Sequence, residues 1–286
     1  MSRKMQELKL DLSSPHIKRL SKKVLFIDIE TSLVEARVFR TGLQTVNANQ
    51  LHSSTKVLTV AGGSLYDMLT KGQAGMWSCS NHRSSTFDYN PLNDEEILAD
   101  VWEELDKAEV VVAHNASFDQ GWLFGRFLEL GWKLPSKFFL FCTYQNLRPF
   151  NLTSKKLDEL SKSLIGNKKL DTSFDLWAKC AEGDVDAFKR MEEYNLGDVY
   201  NTLFKVWLRT AYYNPHKAID FSDPQSETLQ CKVDGRALSW HGQYLNKRNG
   251  LFYDLYINPR AGIQYVDRYN TKSAKAGKYI KPYIGY

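Results

Sequence analysis

The stretch VLFIDIET, Val24 to Thr31, decides how this chain is read. Four successive apolar residues, three of them β-branched or aromatic, open a predicted strand from Val24 to Ile29. Such an unbroken run suits a central strand covered on both faces. Asp28 and Glu30 then interrupt it. Strand side chains alternate, so both carboxylates project from one face at the strand's end. Burying an ionised carboxylate without compensation is costly, so the pair requires solvent, a cation or a functional reason.

Outward from this strand the chain alternates between two periodicities. Residues 56–66 and Gly75-Met76-Trp77-Ser78 predict further strands, and residues 79–92, rich in Ser and Asn, predict an exposed loop. Asn93 with Glu96 fits a capping box ahead of Ile97, Leu98, Val101, Trp102 and Leu105 at helical spacing. Val110 to Ala113 is a second short apolar strand, ending in His114-Asn115 and followed by a helix from about Phe118 to Leu130. Phe138 to Thr143 predicts a strand; Lys155 to Leu164 and Val185 to Arg209 predict helices, the second with Asp184 as N-cap. The fold class is therefore α/β, with a mixed or mostly parallel sheet flanked by helices. Ligands in such sheets gather at strand ends, where Asp28-Glu30 and His114-Asn115 stand in comparable positions.

With 286 residues, 43% hydrophobic and 25% charged, the chain can bury one sizeable core and a smaller appendage. Its first residues are too polar for a secretory signal, and no run of about 18 apolar residues could span a bilayer. A soluble protein of the cytoplasm, with no membrane partner, is expected. Cys79, Cys142, Cys180 and Cys231 form no C-x-x-C pair, which argues for buried thiols over a disulfide framework or a zinc site. Eight Lys/Arg against two Asp from Trp240 to Tyr286 give this end +6 of the formal +5, together with eight of the fifteen tyrosines. A basic, tyrosine-rich end on a near-neutral body suits a polyanionic partner; a solvated basic face over a small β unit is the other reading.

The expected organisation is an extension over 1–23, a main domain over 24–213, a linker over 214–230 and an appendage over 231–286. In the appendage, Lys247-Arg248-Asn249-Gly250 predicts a turn between two strands.

Three segments belong together: Asp28-Ile29-Glu30, Asn115-Ala116-Ser117-Phe118-Asp119, and Tyr194-Asn195-Leu196-Gly197-Asp198, where helical spacing sets Tyr194 one turn from Asp198. Four carboxylates brought together make a hard oxygen cage suited to two Mg²⁺ or Mn²⁺. Taken singly, each has an ordinary structural reading as a strand end, a helix-terminal acid or a helix-face pair.

In this order the segments resemble the motifs of the DEDD (DnaQ-like) superfamily of 3′-5′ exonucleases: D-x-E at Asp28 and Glu30, N-x-x-F-D at Asn115, Phe118 and Asp119, and Y-x-x-x-D at Tyr194 and Asp198. Glu193 stands where the histidine subclass has His, so the tyrosine subclass is the match. The resemblance runs from about Val24 to Tyr213 and is greatest to stand-alone bacterial and phage members, which implies a bacterial or phage-infected cytoplasm. It departs at Cys142-Thr143, where several relatives have Asp-Thr.

The resemblance implies a ribonuclease-H-like sheet and two-metal hydrolysis at 3′ ends of single-stranded DNA, releasing nucleoside monophosphates. A replication or repair protein is an implied partner. Exoribonuclease action of ribonuclease D type, or a catalytically silent binder, are the alternatives. Asp28, Glu30, Asp119 and Asp198 would hold the metals, Tyr194 would orient the water, and Asn115, Lys155, Lys156, Lys247 and Arg248 are candidate substrate contacts. His114 is read as structural, and Trp122, Phe124 and Phe127 as core.

Cys231-Lys232-Val233-Asp234-Gly235 and Asn258-Pro259-Arg260-Ala261-Gly262 resemble the two knuckles of a zinc ribbon. Asp234, Asn258 and Ala261 stand where thiolates belong, and one thiolate cannot hold structural zinc. A ribbon-like appendage without zinc is expected.

Overall fold

A computed structural model describes residues 7–40, 42, 45–51, 55–79, 93–167, 172–215, 217–277 and 280–282. The elements run α1 (Pro15–Ser21), β1 (Val24–Thr31), β2 (Val57–Ser64), α2 (Leu65–Lys71), β3 (Gly75–Ser78), α3 (Glu95–Lys107), β4 (Val110–Ala113), α4 (Ser117–Glu129), β5 (Phe139–Cys142), α5 (Thr143–Asn146) and α6 (Leu157–Leu160). They continue with α7 (Phe174–Ala181), α8 (Val185–Leu196), α9 (Lys205–Thr210), β6 (Ser239–Asn246), β7 (Leu251–Ile257), β8 (Gln264–Asp267) and β9 (Ile280–Pro282). Two compact units result: Lys22–Gln145 with Leu152–Phe204, and Met1–Ser21 with Asn146–Asn151 and Lys205–Tyr286.

The first unit is α/β. Its five-stranded sheet has the order β3-β2-β1-β4-β5, with β1 antiparallel to β2 and parallel to β4. β2 runs antiparallel to β3, and β4 parallel to β5. This mixed sheet with flanking helices is compatible with a ribonuclease-H-like fold. The apolar run of β1 lies at the centre because Leu25, Ile27 and Ile29 bury into a core with Ile97, Val101 and Phe127. Phe26 points the other way and meets Phe204 edge-on, ring centroids 5.4 Å apart. Alternation then sends Asp28 and Glu30 to the Phe26 side, half-buried at the strand end.

Several boundaries differ from expectation. Residues 65–66 are helical and not strand, because Ser64 acts as N-cap: its hydroxyl accepts from Asp67 N at 3.0 Å and ends the extended run. The expected capping box at Asn93 does not form. Asp94 is the N-cap of α3, and Asn93 Oδ1 accepts from Glu95 N at 3.2 Å. The Asp94 side chain instead takes a fork from Arg126, at 2.9 and 2.8 Å, and the N–H of Val57 at 3.0 Å, tying α3, α4 and β2 together. Asp184 is the expected N-cap of α8, accepting from Asp186 N and Ala187 N. Beyond Leu196 the helix widens into a π-helical segment, Gly197–Phe204, before α9 begins. A second π segment, Ser161–Ile165, follows α6 where one continuous helix was expected. Residues 80–92 of the expected loop lie outside the described residues.

The second unit carries a meander, order β6-β7-β8-β9, every pair antiparallel. Chain-terminal and late residues share its core. Leu8 N donates to Leu208 O at 2.9 Å, and Trp207, Tyr212 and Phe221 are buried. Residues 7–21 of the expected extension and the described residues of the expected linker over 214–230 thus belong to this unit with the β structure. Among the described residues no helix is long and apolar enough to cross a membrane.

Candidate functional site

Asp28, Glu30 and Asp198 converge: one carboxylate oxygen from each lies within 4.8 Å of the other two. β1 supplies the first pair by alternation, and the π-helical segment supplies the third, 5% exposed, as its second residue. The expected stacking of Tyr194 and Asp198 on one regular α-helix therefore stops at Leu196, since the widened turn lies between them. π-Helical turns cost regular hydrogen bonding and recur at functional sites.

Three negative charges this close repel by about 3 kcal/mol per pair at an effective dielectric constant near 20. Neutral donors hold Asp28 and Glu30 in place. Asn195, fully buried, donates from Nδ2 to Asp28 Oδ2 at 2.7 Å, while its Oδ1 accepts from the buried Thr59 hydroxyl at 3.1 Å. Trp177 donates from Nε1 to Glu30 Oε2 at 3.1 Å, and its ring meets Tyr194 edge-on at 6.0 Å. Tyr194, Trp177 and Glu30 thereby form one contact chain. The donor set is entirely hard oxygen, the kind that takes Mg²⁺ or Mn²⁺. These three residues could hold a divalent ion.

The fourth expected ligand, Asp119, stands outside that group of three. It is 3% exposed, and its Oδ1 accepts the N–H of Ile29, between Asp28 and Glu30, at 3.2 Å. Burial pushes its carboxyl up to about 7, against the downward pull of backbone N–H groups from itself and Ile29. Asp119 is therefore fastened to the strand that carries the cluster.

Asn115, at the β4–α4 junction, has φ 59° and is the described non-glycine residue in the left-handed region. Asn tolerates that conformation better than most residues, and its carbonyl accepts from Phe118 N at 2.8 Å, so it shapes the turn that aims Asp119. Its side chain is exposed. His114 fits its structural reading: Nδ1 lies 2.8 Å from the Thr143 hydroxyl, and the ring packs edge-on against Tyr144. Phe127 is buried, but Trp122, expected in the core, is 37% exposed and packs edge-on with exposed Phe118. Helical spacing placed it one face too far inward.

Lys155 is half-buried and Lys156 exposed at the start of α6, in the same unit as the carboxylates. Lys247 and Arg248 sit exposed on the β6–β7 turn of the other unit. Sequence reasoning assigned no role to Asn195, Thr59 or Trp177, and no helix to Phe174–Ala181. The one available signal was Asn195, lying between Tyr194 and Asp198 on a helix where a polar residue facing inward needs a partner.

In the second unit, the two knuckle-like turns meet. Gly235 N donates to Cys231 O at 2.7 Å and Gly262 N to Asn258 O at 2.8 Å, each glycine at positive φ (71° and 67°). A Cβ on Gly235 would lie 2.6 Å from Phe221 O, so only glycine closes that turn. Asp234 Oδ2 accepts from Asn258 Nδ2 at 2.9 Å and from the Tyr212 hydroxyl at 2.8 Å, and Cys231 Sγ lies 3.1 Å from the Tyr265 hydroxyl. Burial, reinforced by Asp234, pushes the Cys231 thiol up to about 11, so it stays protonated. The sequence matches no protein-family model and no curated protein.

Proposed function

We propose that the chain is a divalent-metal-dependent 3′-5′ exonuclease acting on single-stranded DNA, of the DEDD superfamily's tyrosine subclass. The observation that supports this reading is the convergence of Asp28, Glu30 and Asp198 from a central strand and a distant helix. The motif order of the sequence supports it independently.

Asp28, Glu30 and Asp198 would hold the ions, with Asp119 beside them on the strand backbone. Bound Mg²⁺ or Mn²⁺ supplies an activated water and a stabilised leaving oxygen for in-line displacement at phosphorus. The overall change is hydrolytic: an oxygen from water forms a bond to the terminal phosphorus, the bond from phosphorus to the 3′ oxygen of the preceding nucleotide breaks, and that oxygen gains a proton. The chain's residues position this reaction. Asn195 fixes Asp28, Trp177 fixes Glu30, and Tyr194, packed on Trp177, orients the water. A neutral phenol is a poor general base, so orientation is its role. The second unit is read as a ribbon whose metal has been replaced by the Asp234–Asn258–Tyr212 network.

The test incubates the full chain with 5′-labelled DNA and RNA oligonucleotides, with free or blocked 3′ ends, with and without Mn²⁺. Stepwise shortening of free-ended DNA only when metal is present, abolished by Asp28→Ala, is expected. Shortening of RNA alone supports the ribonuclease D reading instead. Absence of metal-dependent degradation, or cleavage of circular single strands, overturns exonuclease action.

A further inference from the structure

The β6–β7 hairpin exposes an apolar face. Register pairs Leu245 with Phe252 and Trp240 with Tyr256, and alternation along β7 puts Phe252, Asp254 and Tyr256 on one side. Trp240 is 63% exposed, Phe252 49% and Leu245 43%. Isolated exposed apolar residues are ordinary, but here three share one face of one hairpin. Trp240 is also oriented: its Nε1 donates to Asp254 Oδ1 at 3.2 Å, the same oxygen that takes Gln243 Nε2 at 3.2 Å. Asp254, the carboxylate on this side of β7, is thus already engaged by two donors.

Cations flank these rings. Lys247 and Arg248 form the hairpin turn next to the Leu245–Phe252 pair. Thr271 N donates to Phe252 O at 2.9 Å, which brings the exposed Lys272 to the same end of β7. Four residues of β7 separate the Phe252 and Trp240 positions, roughly 13 Å at about 3.3 Å per residue. The Trp240 indole leans back from its end of that interval toward Asp254, so two exposed aromatic rings lie along one strand face bordered by cations, the chemistry of a stacking platform for unpaired bases with their phosphates at the rim.

We propose that this face of the β6–β7 hairpin binds single-stranded nucleic acid, bases stacking on Trp240 and Phe252 and phosphates pairing with Lys247, Arg248 and Lys272. Charge complementarity selects this occupant over an apolar protein partner, since the segment from Trp240 onward carries +6. The ligand class is that of the nuclease reading, but the argument stands on residues remote in sequence from the carboxylates.

The experiment measures binding of the full chain to fluorescein-labelled oligothymidylate by anisotropy, in EDTA, over a range of salt. Both rings are exposed, so their removal leaves the fold intact, which circular dichroism verifies. Trp240→Ala and Phe252→Ala should each weaken binding about tenfold, whereas Trp240→Phe, which keeps a stacking face, should retain most of it. Lys247→Ala with Arg248→Ala should flatten the salt dependence of binding. Unchanged affinity in the Trp240→Ala/Phe252→Ala double variant overturns the proposal, as does a loss that Trp240→Phe shares in full. Asp28→Ala separates the two readings, because it should abolish degradation and leave binding in EDTA intact. Wild-type binding lost with the aromatics but without any metal-dependent degradation would sink the nuclease alone.

Discussion

Asn195 reaches from α8 to the central strand and donates to both the side chain and the backbone of Asp28, at 2.7 and 3.3 Å. The same amide accepts from Thr59 on the neighbouring strand, so one buried side chain fixes an acid between two elements. Outer partners of this kind, when lost, cost metal sites about 10–100-fold in affinity or activity. Asn195→Ala should therefore raise the Mn²⁺ concentration needed for half-maximal activity by that order, with saturating metal recovering part of the rate. Titrating Mn²⁺ against nuclease activity checks it; an unshifted midpoint in a folded variant removes Asn195 from the site.

Asp119 gives the metal-free protein a pH dependence. Unfolded, its carboxyl loses a proton near the ordinary 3.8; folded, burial keeps it protonated up to about 7. Between those values the native chain holds more protons than the unfolded one, so stability falls as pH rises through the window and levels above it. The loss is on the order of 4 kcal/mol. Asp119→Asn keeps an oxygen for Ile29 N and removes the charge, so in EDTA at pH 8 it should be the more stable protein and at pH 4 no better. Urea midpoints across pH, with and without Asn, decide; a wild-type curve that rises through this range contradicts the assignment.

Much of the first unit was legible because a strand buried on both faces leaves an unbroken apolar run, as in Val24–Ile27 and Val110–Ala113. Alternation was enough to put Asp28 and Glu30 together. Residues 65–66 depart from the expected strand because an apolar Leu-Tyr continues a strand pattern as well as it opens a helix, and the Ser64 cap decides between them. The widening at Gly197 was not legible: α and π turns of one amphipathic segment differ by which backbone partner is chosen, and side-chain periodicity over so few residues does not separate them. Nor was the burial of Leu8 and Ile17, whose polar surroundings in sequence conceal partners found only late in the chain.

The Arg126–Asp94 pair illustrates a charge that burial makes indispensable. Both side chains are nearly inaccessible, 5% for Arg126 and 2% for Asp94, and Asp94 also satisfies the Val57 N–H. Removing one partner of a buried pair strands the other's charge and costs about 3–5 kcal/mol. Arg126→Met should lose that much by urea denaturation, while Asp94→Asn with Arg126→Met, which leaves a neutral acceptor for Val57, should lose clearly less. Equal losses in the single and double variants would mean that packing of the arginine stem, and not the stranded carboxylate, carries the cost.

The two knuckle-like turns make the last prediction. Cys231, Asp234 and Asn258 already meet at the turns, and Asn258 Oδ1 accepts the N–H of Ala261 at 3.1 Å, which ties the fourth position to the same cluster. The buried Asp234 carboxylate takes donors from Tyr212 and Asn258 where a ribbon would place metal. Changing Asp234, Asn258 and Ala261 together to Cys supplies four thiolates with zinc-ribbon spacing, and structural zinc contributes folding free energy on binding. The triple variant should retain one zinc per chain through gel filtration and unfold at a higher temperature with zinc than after chelation. The wild type should retain none at stoichiometric level. Metal analysis of both proteins tests the ribbon reading directly, and a folded triple variant that carries no zinc refutes it.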